Sequence, residues 1–405
     1  KSKSERDYEM KEDDREQTYD FDVIHERRGT NSAKWDGTPH PDILPMWIAD
    51  MDFAVLPEIQ EALGHRVQHG IFGYAWPDDS YREAVCGWMK RRHDLEIRPE
   101  WIQCSNGVVT ALKTAIQAWT EPGDEVAVIT PVYYPFYKSI EGNGRIVRPL
   151  SLTLRDGQYI LEDEELRKLD GAKLLLFCNP HNPAGKVWTR QEQEKIADAC
   201  RRYDVKVVSD EIHGDFIRPG ARMVPFWNAA PDARDWSILC TAPSKTFNLA
   251  ALWTSNILIA NDDMRKAFAL VMDRNGAGNP NIFGIDACRA AYTFGDDWVD
   301  SLNAYIDSNF RFMKNYLLTE LPQLQMIEPQ GTYLAWVDCR ALGMDASQLE
   351  TFMKEKARLL LDEGVIFGQA GAGFERFNVA CPRSVLKQAL DQLRDAVREL
   401  DLQAD

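Results

Sequence analysis

The chain has 405 residues, 44% of them hydrophobic and 10% aromatic, with 47 basic residues against 63 acidic ones and a formal net charge of -16. That length carries a large core and room for two domains. The acidic balance argues against nucleic acid or an anionic membrane as the main partner. Eight cysteines are scattered with no C-x-x-C pair, which fits a reduced interior better than a disulfide framework or a zinc site. With no apolar run of membrane length and no signal-peptide core, a soluble, cytoplasmic protein without a metal is expected.

Residues 1–20, KSKSERDYEMKEDDREQTYD, are dense in both charges and nearly free of aliphatics, so they are expected to be a disordered or solvated extension. From about 100 to 260, nearly all-apolar runs (126-VAVIT, 173-KLLLFC, 205-VKVVS, 237-SILCTA, 256-NILIA) alternate with helical patterns such as 190-RQEQEKIADACRRYD. Runs apolar on both faces, separated by amphipathic helices, predict an α/β fold with a mainly parallel sheet between helices. From about 300 the pattern changes to a long helix (298–318), 332-TYLAWVD, a helical 346-ASQLETFMKEKARLLLDEG, 375-ERFNVA and a last helix from Arg383. The expected division is an N-terminal segment (21–54) that completes a small α+β domain (298–405), with a large α/β domain over 55–297.

Ligands of open parallel sheets gather beyond the carboxyl ends of the strands. The residues following these runs are 131-PVYYPFY, 179-NPHNPAGK, 210-DEIHGD and 241-TAPSKTFNLAALW, so two tyrosines, Asn182, Asp210, His213 and Lys245 should share one rim. Singly each has a plain reading: Asp210 as a helix cap, 182-NPAG as a turn, Tyr133 and Tyr134 as packing. Jointly they suit an aldehyde cofactor. A desolvated lysine forms a Schiff base, a buried carboxylate keeps a pyridine nitrogen protonated, and an asparagine can donate to a phenolic oxygen. The stretch 105-SNGVVTALKTAIQAW adds a glycine turn entering a helix, a natural phosphate seat.

In the order Gly107, Tyr133, N-P-H-N-P-A-G, D-E-I-H, S-K-T-F-N and F-E-R-F-N, together with 45-PMWIADMDF and 69-HGIFGY, the chain resembles fold-type I enzymes dependent on pyridoxal 5′-phosphate. It is most similar to the cystathionine β-lyase/cystalysin-like C–S lyases, the MalY/PatB branch of the class I/II aminotransferase superfamily. The likeness runs over residues 21–400. It implies a seven-stranded-type sheet, a homodimer and a small sulfur-containing amino acid as substrate. Position by position it implies Lys245 as the Schiff-base lysine and proton carrier, Asp210 on the pyridine nitrogen, Asn182 on the phenolic oxygen, Tyr133 on the ring face and His213 beside it. Gly107, Val108, Val109, Thr241 and Ser244 would hold the phosphate, joined by Tyr74 from the neighbouring subunit. Arg376 would clamp the α-carboxylate, a task for a bidentate guanidinium, with Ala49, Tyr134 and Asn182 also at the substrate. Tyr134 and Tyr74 are the candidates for the acid at the leaving sulfur. The plain alternatives are an interface aromatic for Tyr74 and a surface ion pair for Arg376.

The implied reaction is α,β-elimination to a thiol or sulfide, pyruvate and ammonia. An aminotransferase is the main alternative, and a regulatory protein-binding role on the same scaffold is the alternative of another class. Two positions depart from the relatives' pattern: Ala251 stands where S-K-T-F-N-x-A-G-L has glycine, and Trp253 stands where aminotransferases carry a phosphate-binding arginine.

Overall fold

The computed structural model describes residues 19–38 and 40–404. The charged extension expected over residues 1–20 lies, through residue 18, outside the described residues. Eight strands build the large sheet: β1 Ile102–Ser105, β2 Glu125–Thr130, β3 Ile146–Arg155, β4 Gln158–Leu161, β5 Leu174–Cys178, β6 Lys206–Asp210, β7 Ser237–Thr241 and β8 Ser255–Leu258. Their order is β1-β8-β7-β6-β5-β2-β3-β4. The five strands from β7 through β3 are mutually parallel, while β8 runs against both of its neighbours. The expected sheet gains an eighth strand because the hairpin at Asp156-Gly157, both at positive φ, folds β4 back on the edge strand β3.

Every residue of β5 and β7 is buried, as unbroken apolar runs require when helices cover both faces. The helix Arg190–Arg202 is one cover. Thr189 caps it, and Glu192 returns the bond to complete a capping box. The parallel strands all point one way, so Thr130, Cys178, Asp210 and Thr241 end on one rim, with Asp210 in register beside Cys178 and Cys240.

A second sheet of four antiparallel strands has β9 Gln325–Met326, β10 Leu334–Asp338, β11 Asp362–Glu363 and β12 Phe374–Asn378 in the order β9-β10-β12-β11. The long helix Asp296–Glu320 lies against it, and the last helix Arg383–Ala404 packs on that helix and on Leu359–Leu360. The expected helix over 346–364 ends early. It passes into a π turn at Phe352–Lys356, and Arg358 at φ 56° breaks it. The apolar 359-LLLDE then satisfies its backbone by pairing: Leu359–Leu360 with Leu44–Pro45, and Asp362–Glu363 with Arg376 and Glu375.

Residues 45–53 form a strap between the two sheets. Met46 accepts from the Asn378 amide at 2.7 Å, and the Asn378 side chain donates to Ile48 and Asp50 carbonyls at 2.8 and 2.6 Å. On the other side Asn248 accepts from Met51 N at 3.0 Å and donates to Met51 and Phe53 carbonyls at 2.9 and 3.1 Å. No helix among the described residues is long and apolar enough to cross a membrane.

Candidate active site

Strand β7 ends at Thr241, and Pro243 opens a single helical turn, Pro243–Thr246, a position where proline loses nothing because the first amides have no helical partner. The turn lifts Lys245 off the rim toward the strap. Its Nζ donates to the Ala49 carbonyl at 2.6 Å, and the Tyr333 hydroxyl donates to the same oxygen at 2.9 Å. Burial pushes the Lys245 ammonium down to about 8, helped by Arg376 and opposed by Asp50 and Asp210. A lysine with that value is a neutral nucleophile over a useful fraction of its time near neutral pH.

Asp210, at the end of β6, is 4% exposed. Burial raises its carboxyl to about 7, against the Ile212 amide and Lys245, which favour the charged form. It accepts from Ile212 N at 3.2 Å. A buried acid poised this way gains most from a cation placed beside it. His213 is buried two residues past Ile212's neighbour Glu211, with its Nδ1 unpartnered and its ring held neutral, first by burial and then by Lys245 and Arg376.

Arg376 on β12 is 1% exposed. Its Nη1 donates to Asn182 Oδ1 at 2.8 Å, and its Nη2 donates to the Trp47 carbonyl at 3.1 Å and to Asp362. Its Nε has no partner. The arginine is therefore no surface ion pair, and its acidic neighbour Asp362 is the residue that the helical reading of 346–364 concealed. Asp362 comes into register with Arg376 only because that stretch switches to a strand.

At the far end of the rim Gly107, at φ 91°, opens the helix Val108–Trp119. Its own amide donates to the Ser105 carbonyl at 2.9 Å, and Val108 and Val109 begin the helix behind it. Thr241 Oγ1 donates to the Asn256 carbonyl at 3.3 Å, and Ser244 sits in the lysine turn. A Cβ on Gly107 would meet the Trp253 ring at 3.6 Å. So Trp253, in a left-handed conformation at φ 49° and 63% exposed, leans on this turn.

Tyr133 and Tyr134 face each other with ring centroids 5.3 Å apart, and Tyr134 reaches Phe367 at 5.7 Å. Burial raises both phenols, with nearby acids adding to it, so both keep their protons. Tyr133 is tied to Asn182 by its amide on the Asn182 carbonyl at 3.0 Å. Tyr74 is fully exposed between two helices, close in sequence to the exposed Ile71, Phe72 and Trp76, and the single chain gives it no site contact. Lys245, Asp210, Asn182, His213, Tyr133, Arg376 and Ala49 are thus brought to one place, and Tyr74 is not. Sequence reading missed Asp362, Tyr333 and Asn248. Of these Asn248 stood in S-K-T-F-N and Tyr333 in 332-TYLAWVD, while Asp362 lay hidden in the stretch read as helix.

The aminotransferase class I and II family model matches residues 41–393. The chain is 44% identical over 384 residues to cystathionine β-lyase PatB of Bacillus subtilis, covering 93% of this chain and 99% of that protein. It is 36% identical over 395 residues to protein MalY of Escherichia coli, covering 94% and 99%. Among solved structures, cystalysin of Treponema denticola, which contains pyridoxal 5′-phosphate, superposes with a TM-score of 0.92 at 38% identity, covering 95% of this chain and 100% of that one. The rim lysine, the buried acid beside it and the arginine facing both sit in a chain that belongs to the aminotransferase class I and II family.

Proposed function

We propose that this chain is a pyridoxal 5′-phosphate-dependent carbon–sulfur β-lyase acting on cystathionine, cysteine or a related S-substituted cysteine. The observation that carries the cofactor is the pair Asp210 and Lys245. One is a buried carboxyl raised to about 7, the other an amine lowered to about 8, and both lie where the parallel strands end. Buried polar atoms without partners, His213 Nδ1 and Arg376 Nε, border the same space, as expected where a polar ligand completes the bonding.

In this reading Lys245 would attach the cofactor, Asp210 would keep its ring nitrogen protonated, Asn182 and Tyr133 would orient the ring, and His213 would face it. Val108, Val109, Thr241 and Ser244 hold the phosphate, with Gly107 shaping the turn. The bound cofactor supplies an electron sink for the charge left on Cα. Arg376 binds the α-carboxylate through its remaining donors while Asp362 and the Trp47 carbonyl fix its plane. Lys245 Nζ would take the Cα proton, with the Ala49 carbonyl directing the amine. The Cβ–S bond then breaks with its electrons leaving on sulfur. Tyr134, whose raised phenol stays protonated, donates to that sulfur. Overall, cystathionine and water give homocysteine, pyruvate and ammonia.

Asp362, the ion-pair partner of Arg376, is also a coulombic neighbour of the Tyr134 phenol. We also read the exposed apolar stretch Ile71, Phe72, Tyr74 and Trp76 as the face of a homodimer that delivers Tyr74 to the partner's phosphate.

Incubating the pure protein with cystathionine and with cysteine, then assaying pyruvate, thiol and amino transfer to a keto acid, tests the reading. Pyruvate and thiol in equal amounts are expected. Amino transfer without pyruvate from any β-substituted substrate would make it an aminotransferase.

A further inference from the structure

The turn that carries Lys245 is held on two sides. On the strap side Asn248 makes three hydrogen bonds to Met51 and Phe53. On the opposite side Thr246, which is fully buried, donates its hydroxyl to Asp215 Oδ2 at 2.6 Å. The other oxygen of that carboxylate lies 3.0 Å from His93 Nε2. His93 closes the helix Asp79–His93, and the Asp215 backbone carbonyl is itself pinned by the Asn303 side chain at 2.8 Å.

We propose that Asp215 is a positioning residue for Lys245, acting through Thr246 and held in place by His93. The proposal rests on Lys245 being the cofactor lysine. Burial alone would raise the Asp215 carboxyl. Instead it is drawn below the usual carboxylate range, because His93, Thr246 and Arg92 together outweigh that penalty. A buried carboxylate bonded by Thr246 through one oxygen, with the His93 ring 3.0 Å from the other, is a firm anchor, since removing either neighbour leaves its charge less compensated. Thr246 is one residue from Lys245 inside a four-residue turn. A shift of its Oγ1 therefore passes directly to the lysine backbone.

The anchor is built at the back of the site rather than in the substrate entrance. His93 and Asp215 line a cleft of about 480 Å³ together with Arg91, Arg92, Arg222 and Asp300. A separate small cavity of about 10 Å³, about one water, lies between His93, Glu211, Asp215 and Thr241. The side-chain series His93, Asp215, Thr246 joins this cleft to the lysine turn.

The test compares holoenzymes of wild type, Thr246→Val, Thr246→Ser and Asp215→Asn. For each, kcat and KM on cystathionine and the dissociation constant of pyridoxal phosphate are measured. Thr246→Val keeps the shape and deletes only the hydroxyl. It and Asp215→Asn are expected to lower kcat roughly 10–100-fold, the effect of a displacement on the order of 1 Å, with KM held within about two-fold and weaker cofactor binding. Thr246→Ser restores the hydroxyl and is expected to return both values close to wild type. A folded Thr246→Val enzyme with wild-type kcat and cofactor affinity overturns the proposal. So does a Thr246→Ser enzyme as impaired as Thr246→Val, because that assigns the effect to packing. A wild-type chain that takes up no pyridoxal phosphate overturns the functional reading itself. Uptake by wild type with no difference in Thr246→Val sinks the positioning role alone.

Discussion

Lys245 and Ala49, 196 residues apart in sequence, meet through one hydrogen bond of 2.6 Å from the lysine ammonium to the alanine carbonyl. The bond joins the lysine turn of the large sheet to the strap that serves the small one. It makes the direction of the amine a property of both halves of the chain.

The amine should set the rate of cofactor capture. With its value lowered to about 8, Lys245 is an ammonium below that pH and a nucleophile above it. The rate of pyridoxal phosphate uptake by apoenzyme is expected to rise with pH and level off above about 8. Borohydride should then fix the cofactor to wild type and not to Lys245→Ala. Stopped-flow absorbance over pH 6 to 10 checks both.

The acid should reveal itself in the stability of the apoenzyme. The folded value of Asp210 is raised to about 7 from the ordinary carboxylate value of 3.8, so the folded state holds its proton longer than the unfolded chain does. The stabilisation from that proton is complete below the unfolded value and is lost as pH rises through about 7. Apo wild type should therefore lose stability relative to apo Asp210→Asn between pH 4 and pH 7, by an amount on the order of a few kcal/mol. Pyridoxal phosphate should remove much of the loss. Denaturant melts of both proteins with and without cofactor measure it.

The carboxylate clamp should separate binding from turnover. Arg376→Lys removes the planar fork that Asn182, Trp47 and Asp362 hold. KM for cystathionine is expected to rise by roughly 10–100-fold, the scale of one to three kcal/mol for a charge-assisted bond. Steady-state kinetics check it. An unchanged KM would place the substrate carboxylate elsewhere.

Tyr74 offers a test of assembly. If each site takes Tyr74 from its partner, inactive Tyr74→Ala and Lys245→Ala chains mixed under exchange should form hybrids with one intact site. Half of randomly paired dimers are hybrids, so activity should recover to roughly a quarter of wild type. No recovery in a mixture shown to exchange would place both residues in one subunit's site.

The strap bond should be worth a measurable share of stability. Asn248 sits at φ 57° and makes three hydrogen bonds to the strap. Asn248→Gly keeps the backbone comfortable and removes only the bonds, so a loss of about 2–3 kcal/mol is expected. Asn248→Ala should lose more because its Cβ resists positive φ. Chemical denaturation of the two variants ranks them.

Much of this protein was legible in its order of residues. Unbroken apolar runs announced buried parallel strands, and the rule that sites lie beyond strand ends gathered Asn182, Asp210 and Lys245 before any coordinates did. Those are local signals, carried by a few neighbouring residues each. Asp362 was hidden for the opposite reason. Its stretch has helical spacing, and only the presence of Leu44–Pro45 and β12, distant in sequence, offers its backbone a better set of hydrogen bonds as a strand. The partnership of Thr246, Asp215 and His93 was equally invisible, since it joins the ends of three elements whose approach is set by packing. Sequence alone determined which chemistry the rim could carry. Tertiary structure decided which way the lysine points and what holds the arginine, because long-range burial, and not local pattern, chooses the partners of a buried charge.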